Sequence, residues 1–225
     1  VSVPVAPAPV AAGGFELGGH VRNHGLPYKD KMHYAGMNWV KIQVHYGEGA
    51  ADFVNLAHAN GFKVQLSALG GPQMVVQPGF EDNFAAWVAQ LAASGADAIE
   101  VWNEPNVDAF WRPKKNPDNY VKLLKEVYPA VKRGNPDAVV IGVSLATLDM
   151  EFLDTVLEKG ALEYMDVLSI HPYCHPLSPE EAQIFEKIKQ IFNKTKKMGN
   201  PKPIWLTEIG FPTHKGGGIL SLIHI

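Results

Sequence analysis

Two glutamates at the ends of strand-like segments are the strongest candidates for chemistry in this sequence. Glu104 ends the segment 98–104, and Pro105 follows it, so the strand pairing cannot continue past this carboxyl group. Glu208 lies within the apolar segment 203–209. A carboxylate at an apolar strand end costs free energy unless it is paired or put to use. Two such groups fit glycoside hydrolysis, in which one carboxyl group protonates the leaving oxygen and the other attacks the anomeric carbon.

The two carboxyl groups of such a pair need different surroundings. The acid has to be neutral when the substrate binds, whereas the nucleophile has to stay charged and needs hydrogen-bond donors. His171 and Tyr173 lie two residues apart at the end of another strand-like segment, so they face the same side and can supply these donors. A carboxyl separation of about 5–5.5 Å would indicate a covalent intermediate and retained stereochemistry.

Four further side chains near strand ends are candidates for substrate contact. His45 ends the second strand-like segment, and His20 and Arg22 lie at the end of the first. Trp111 lies on the loop after Glu104, where an aromatic face can stack on a sugar ring, with plain loop packing as the alternative.

Strand-like and helix-like segments alternate from residue 15 onward. The predicted strands span 15–20, 38–45, 62–69, 98–104, 138–145, 165–171 and 203–209. The predicted helices span 28–36, 49–60, 81–94, 117–133, 149–160 and 179–198. Because a helix-length crossover joins each strand to the next, we predict that the strands are parallel.

Such an alternation builds either a closed (β/α)8 barrel or an open doubly wound sheet. Neither GxGxxG nor GxxxxGK[ST] occurs, so nothing in the sequence supports nucleotide binding. We therefore predict an α/β fold of the (β/α)8 TIM-barrel type. The carboxyl ends of barrel strands form one mouth, so Glu104 and Glu208, after the fourth and seventh strands, should face the same space.

Two helices have boundaries that the sequence predicts from their caps. The segment 81–94 repeats apolar residues at helical spacing, and Gly95 follows it as the terminating residue. The segment 179–198 is preceded by Ser178 as N-cap, with Pro179 at the first helical position.

Composition excludes several classes of partner. The 225 residues carry a formal net charge of -3, so nucleic acid is not an expected partner. No run approaches the roughly 20 apolar residues of a membrane helix, so no membrane partner is expected. Cys174 is the single cysteine, and the nine histidines show no HExxH spacing, so neither a metal nor another cofactor is expected. The Pro/Ala-rich start suits a secreted or extracytoplasmic protein, with a cytoplasmic location left open.

The residues around the two glutamates resemble a known group of enzymes. IEVWNEPN at 99–106 and PIWLTEIGF at 203–211 are similar to the signatures of clan A glycoside hydrolases, which are retaining (β/α)8 barrels. The family 39-like and cellulase-type members of that clan are the most similar in this respect. The resemblance covers residues 15–213 and implies a carbohydrate substrate.

The resemblance also implies roles for single residues. Glu104 would be the acid/base, Glu208 the nucleophile, and Asn103 would contact the sugar 2-hydroxyl. The HPY at 171–173 resembles the clan's sixth-strand His and Tyr, which implies that Tyr173 bonds the nucleophile.

The predicted barrel is one strand short. A barrel of this type has eight strands and typically about 250 residues, yet the seventh strand ends at residue 209, and the apolar run 219–225 follows too closely for a parallel crossover. We expect an incomplete barrel whose eighth strand is missing or replaced, through truncation with a non-native tail. The alternatives are a hairpin onto strand seven or a homo-oligomer that pairs through the open edges. The predicted parts are a linker or mature N-terminus at 1–14, the barrel at 15–213 and a frayed or non-native tail at 214–225.

Three functions are compatible with this sequence. The first is a retaining hydrolase of β-glycosidic bonds in a plant or microbial polysaccharide or oligosaccharide, of the endo-β-glucanase, β-xylosidase or β-glucosidase type. The second is a catalytically impaired barrel that binds carbohydrate or acts as a scaffold. The third is a lyase or aldolase using Glu104 and a lysine, although Lys41 and Lys63 lie early in their strands, which argues against a Schiff base.

Overall fold

The strands form one curled sheet in which every strand is parallel to its neighbours. A computed structural model of the chain describes residues 15–211. Within that range the sheet contains, in chain order, β1 (Leu17–His20), β2 (Met37–His45), β3 (Lys63–Leu69), β4 (Ala98–Val101), β5 (Val139–Ala146), β6 (Val167–His171) and β7 (Ile204–Leu206). All six neighbouring pairs are parallel. The predicted fold is confirmed: the chain is an α/β protein with the seven strands of an incomplete TIM barrel.

A helix lies in each connection between consecutive strands, which is why the strands run parallel. The helices are α1 (Lys29–Tyr34), α2 (Ala51–Ala59), α3 (Phe80–Ala93), α4 (Pro117–Gly134), α5 (Met150–Glu158) and α6 (Ile184–Lys197). Two 3-10 helices, Met74–Val76 and Ala161–Tyr164, add to them. Between residues 15 and 211, no helix is both long and apolar enough to cross a bilayer.

The predicted end of α3 at Gly95 is confirmed, and an asparagine caps the start of α4. Gly95 follows α3 with φ at +95°, a left-handed conformation that ends a helix without steric cost. The side chain of Asn116 accepts a hydrogen bond from the amide of Asn119 at 3.1 Å, and Pro117 takes the first helical position of α4. Both helices bury an apolar face against the sheet and each other.

Helix α6 begins later than the sequence predicts. Ser178 and Glu181 make the reciprocal contacts of a capping box: the Ser178 hydroxyl accepts from the Glu181 amide at 3.2 Å, and the Glu181 carboxylate accepts from the Ser178 amide at 2.8 Å. These contacts close only a turn, because Gln183 adopts a left-handed conformation with φ at 54° and the regular helix starts after it. The predicted helix 179–198 was therefore wrong in its first turn.

The fourth strand also ends before the predicted limit at residue 104. Trp102 and Glu104 have positive φ angles of 72° and 47°, which takes the chain out of the sheet after Val101. Residues with side chains adopt this region at an energetic cost, and such strained backbone persists where the surrounding packing fixes it. The buried ring of Trp102 provides such packing, and its indole nitrogen donates to the carbonyl of Phe110 at 3.0 Å.

An apolar layer fills the inside of the curled sheet near the start of the strands. It consists of Ala98, Ile141 and Val167, against which Trp39 and Trp205 pack. The two tryptophan rings meet edge to face at 5.4 Å, so β2 and β7 touch through side chains although they are not paired in the sheet. Inward-facing side chains two residues further along each strand therefore form the next layer, closer to the mouth.

Strands β1 and β7 are the two edges of the sheet within residues 15–211. The predicted linker at 1–14 and tail at 214–225 lie outside the described residues, as does the apolar run at 219–225. Truncation, a hairpin onto β7 and pairing between copies of the chain consequently stay predictions.

Candidate active site

Above the apolar layer, the sheet encloses a buried ionic layer centred on Glu100. This β4 carboxylate has no exposed surface. Lys41 of β2 donates to it at 2.6 Å, Gln65 of β3 at 3.1 Å and Ser144 of β5 at 2.9 Å. A buried charge is costly unless it is paired and hydrogen-bonded, and here three other strands supply the partners.

A bulge in β5 brings Ser144 into this layer. The β5–β6 register shifts between Gly142 and Leu145, and Val143 and Ser144 both have positive φ, at 77° and 44°. The freed amide of Val143 donates to the buried hydroxyl of Tyr120 on α4 at 2.6 Å. The bulge is thus stabilised from the helix side while Ser144 faces Glu100.

Glu208, the predicted nucleophile, is held by a donor on each carboxylate oxygen. Lys41 donates to Oε1 at 2.8 Å, and the Tyr173 hydroxyl donates to Oε2 at 3.2 Å. His20 Nδ1 lies 3.8 Å from Oε1. Burial and the charge of Glu208 raise the pKa of Tyr173 to about 12, so this hydroxyl keeps its proton and remains a donor. These contacts to both oxygens fix the orientation of the Glu208 carboxylate.

Glu104, the predicted acid/base, contacts the buried imidazole of His171 at the end of β6. Nδ1 of His171 lies 3.1 Å from Oε1 of Glu104. Its Nε2 reaches the ionic layer, 3.0 Å from the hydroxyl of Thr207 and 3.4 Å from the carboxylate of Glu100. His171 therefore links the predicted acid/base to the buried ionic layer.

Opposite charges hold Glu100, Glu208 and His171 in their ionised forms. Burial acts to raise the pKa values of Glu100 and Glu208, but the charges of Lys41 and His171 outweigh it and hold both below their usual values. Burial acts to lower the pKa of His171, but hydrogen bonds to Glu100 and Glu104 raise it to about 9. His171 is thus a cation with a proton on each nitrogen at neutral pH.

The two candidate carboxyl groups face each other across a short distance. Among the described residues, Glu104, His171 and Glu208 each have a nitrogen or oxygen atom within 4.8 Å of the others. Three such groups can hold a divalent metal in other settings. Here both nitrogens of His171 already have hydrogen-bond partners, Glu104 at Nδ1 and Thr207 and Glu100 at Nε2.

The other predicted contact residues lie around this cluster at different depths. His20 is beside Glu208, and burial together with the charge of Lys41 lowers the pKa of its imidazole. Arg22 and His45 are exposed at the rim of the mouth, His45 on the same face of β2 as Lys41. Asn103 is buried next to Glu104, and its Oδ1 has no hydrogen-bond partner within residues 15–211. Their roles in substrate contact stay predictions.

The predicted role of Trp111 as a sugar platform is wrong, because its ring has no free face. Trp111 is 1% exposed. Its ring meets Trp102 edge to face at 5.2 Å and Tyr120 at 5.8 Å, within the core between sheet and helices. The loop-packing alternative applies, and the residue supports the strained turn at Trp102 instead of touching substrate.

Replacing Trp111 with alanine should therefore lower the free energy of unfolding by about 3–5 kcal/mol, the usual cost of removing a buried aromatic side chain. Urea-induced unfolding followed by circular dichroism measures this. Tyr34→Ala, at a side chain that is 96% exposed, is the control and should change stability little. Unchanged stability together with a raised KM would restore the platform role.

Two open clefts lie among the loops that follow β4, β5 and β6. One, of about 340 Å³, is lined by Tyr173, Thr147 and the segment before α6. The other, of about 380 Å³, is lined by Asn106, Asp108, Lys115 and Asp149 and also reaches Thr147. The first cleft is connected to the cluster through Tyr173, whose hydroxyl donates to Glu208 at 3.2 Å.

The sequence predictions missed the members of the ionic layer. The position of Lys41 early in its strand argues against a Schiff base, yet its long side chain reaches the mouth and contacts Glu208. Glu100, Ser144 and Thr207 received no role. A signal was present: Lys41 and Glu100 are charged residues on the inward face of otherwise apolar strands, where a charge needs a partner.

A parallel barrel sheet with two carboxyl groups facing each other at its mouth defines a class, the (β/α)8 glycosidases. A family model described as "Glycosyl hydrolase catalytic core" matches residues 52–221. The chain belongs to this glycosyl hydrolase family. A search of the curated proteins found no match.

Solved structures show the same fold at low sequence identity. A monomeric β-xylosidase from Caulobacter crescentus CB15 superposes with a TM-score of 0.60 at 18% identity, over 85% of this chain and 51% of that chain. A GH39 enzyme from Xanthomonas axonopodis pv. citri gives 0.59 at 16% identity, over 90% and 52%. A psychrophilic family 10 endo-β-1,4-xylanase gives 0.60 at 16% identity, over 87% and 73%. The resemblance to the clan A barrel fold is confirmed, and the chain spans about half the length of the first two.

Proposed function

We propose that this chain is a retaining glycoside hydrolase that cleaves β-glycosidic bonds by double displacement, with Glu208 as nucleophile and Glu104 as acid/base. The observation that carries the proposal is the approach of Glu104 and Glu208 oxygens to within 4.8 Å. Retaining enzymes hold their carboxyl groups about 5–5.5 Å apart, whereas inverting enzymes need about 6.5–9.5 Å to admit a water molecule.

In the first step a carboxylate oxygen of Glu208 attacks the anomeric carbon, and the bond from that carbon to the leaving oxygen breaks. Glu104 transfers its proton to the leaving oxygen. In the second step a water molecule attacks the anomeric carbon and gives a proton to Glu104, while the ester bond to Glu208 breaks. Both residues return to their starting forms.

The charges of the cluster support this division of roles. Burial acts to raise the pKa of Glu208, but the charges of Lys41 and His171 outweigh it and hold that pKa below its usual value. Glu208 stays charged, as an attacking group requires.

The state of Lys41 argues against the lyase or aldolase alternative. A Schiff-base lysine has to be neutral to attack a carbonyl group. Burial acts to lower the pKa of Lys41, but Glu100 and Glu208 outweigh it and raise the pKa above its usual value. Lys41 is therefore held as a cation between two carboxylates.

The substrate we propose is a plant or microbial polysaccharide or an oligosaccharide derived from it. The similar structures include a β-xylosidase and an endo-β-1,4-xylanase, so β-xylosides and β-glucosides are the first substrates to test. The cleft lined by Tyr173 and Thr147 gives room for sugar units beyond the cleaved bond. A secreted or extracytoplasmic location would bring the protein to such substrates.

Mechanism-based labelling tests the proposal directly. Incubation with the 2,4-dinitrophenyl 2-deoxy-2-fluoro-β-xyloside or β-glucoside should add one fluoro-sugar mass to the protein, because the fluorine slows release of the ester. Peptide mapping should place the adduct on Glu208, and a Glu208→Gln variant should stay unlabelled. Turnover of the parent glycosides without any adduct, or an adduct on another residue, would overturn the assignment.

A second candidate function rests on the open edge of the sheet. Within residues 15–211, β1 and β7 are not paired with each other, so one side of the mouth has no strand behind it. A barrel in this state would bind carbohydrate without cleaving it. Binding of xylo-oligosaccharides in isothermal titration, with neither adduct nor hydrolysis, would favour this function.

A further inference from the structure

The buried carboxylate of Glu100 makes more contacts than a structural ion pair needs. Its Oε2 accepts from Lys41 at 2.6 Å and from Gln65 at 3.1 Å. Its Oε1 accepts from Ser144 at 2.9 Å and from the hydroxyl of Thr207, and lies 3.4 Å from Nε2 of His171. Residues from five strands or strand ends thus meet at one side chain, which lies below the mouth.

Both cationic partners of Glu100 make their second contact with a predicted catalytic carboxyl group. Lys41 donates to Glu208 at 2.8 Å, and His171 Nδ1 lies 3.1 Å from Glu104. Glu100 is therefore connected to both predicted catalytic carboxyl groups, to Glu208 through Lys41 and to Glu104 through His171.

We propose that Glu100 is a positioning residue that fixes both catalytic carboxyl groups, Glu208 through Lys41 and Glu104 through His171. The proposal rests on the proposed function, because it assigns Glu100 to the reaction of that site. Glu100 itself touches no substrate, since it has no exposed surface.

The geometry explains why this position requires a charge. Lys41 and His171 approach each other inside the sheet, and two buried cations repel unless a carboxylate lies between them. With Glu100 neutral, Lys41 would be drawn toward Glu208 alone, and His171 would lose its proton or its orientation. A displacement of about 1 Å in a reacting group is enough to cost about 100-fold in rate.

The charged groups that face His171 come from three strands. Lys41 approaches from β2, Glu100 and Glu104 from β4 and its end, and Glu208 from the end of β7. The removal of the Glu100 charge should therefore be visible in the titration of His171.

Glu100→Gln preserves the size of the side chain and removes its charge. Nuclear magnetic resonance of 15N-labelled imidazoles follows the titration of His171, assigned by its loss in His171→Asn. In the wild-type protein the midpoint should lie near pH 9. In Glu100→Gln it should fall by about 1–3 pH units, the usual effect of losing an adjacent opposite charge. Glu16→Gln, which breaks a surface ion pair with Lys63, is the matched control and should leave the midpoint unchanged.

Kinetics distinguish positioning from a structural role. In Glu100→Gln, kcat on an aryl β-glycoside should fall about 100-fold, with KM changed by less than about threefold. Glu100→Asp keeps the charge and shortens the side chain, so it should keep the high His171 midpoint while kcat falls about 10-fold. If Glu100→Gln does not fold, Glu100→Asp is the variant that tests the proposal.

Different results would contradict the proposed function and the proposed role of Glu100. A wild-type protein without adduct or hydrolysis would contradict the proposed function, while the His171 titration would still report on Glu100. A midpoint of His171 that is the same in Glu100→Gln and wild type would overturn the role of Glu100, whatever the activity. An unchanged kcat in a folded Glu100→Gln or Glu100→Asp protein would do the same.

Discussion

Replacing Glu208 with glutamine should lower the hydrolysis of 4-nitrophenyl β-glycosides by about 10⁴-fold or more, because the variant has no group that forms the covalent intermediate. The structure favours glutamine over alanine for this measurement. The amide oxygen can still accept from Lys41, and the amide nitrogen can donate to the Tyr173 hydroxyl. Lys41 also keeps its contact with Glu100 at 2.6 Å, so no buried charge is left without a partner.

Initial rates measured with equal concentrations of folded wild-type and variant protein provide the test. The Glu16→Gln variant, altered at the surface, should retain full activity. Azide added to Glu208→Ala should restore turnover and give a glycosyl azide of inverted configuration, because the small anion attacks from the vacated side. Equal rates for wild type and Glu208→Gln would contradict the assignment of Glu208 as the nucleophile.

Replacing Glu104 with glutamine should have an effect that depends on the leaving group. For a poor leaving group, such as the sugar of a xylo-oligosaccharide, kcat/KM should fall by about 10²–10⁴-fold, since the departing oxygen then leaves without a proton. For a 2,4-dinitrophenyl glycoside, whose leaving group needs no proton, kcat/KM should change little. The amide can still accept from His171 Nδ1 at the position that Oε1 occupies.

A comparison of kcat/KM across aryl glycosides of graded leaving-group pKa measures this effect. The wild-type enzyme should show a shallow dependence and Glu104→Gln a steep one. Azide should rescue Glu104→Ala with retained configuration, opposite to the product from Glu208→Ala. A uniform loss across all leaving groups would mean that Glu104 supports binding and does not transfer a proton.

The ionic layer also helps to fix the candidate site residues within the incomplete sheet. Lys41 on β2 contacts Glu208 after β7, and Trp39 contacts Trp205 one layer below. These contacts join the two sides of the curled sheet through side chains, although no backbone pairing joins them. Glu208 is consequently held from the interior of the sheet as well as through the backbone that follows β7.

The sequence by itself determined the order of elements and the strand ends that bear the two glutamates. Apolar runs of strand length, separated by helical periodicity, are local patterns, and the helix-length crossovers allow only parallel pairing. The position of Glu104 and Glu208 at one mouth follows from that topology. The end of α3 at Gly95 was predictable for the same reason, because it depends on neighbouring residues.

Only the tertiary structure decided which side chains meet inside the sheet. Lys41 is 167 residues from Glu208 along the chain, and no local pattern shows that its side chain spans to the mouth. The burial of Trp111 depends on Trp102 and Tyr120, which reach it from the strand end and from α4. The late start of α6 depends on the left-handed turn at Gln183. Charge, burial and backbone strain at these positions are set by contacts between distant segments, which exist only once the sheet has curled.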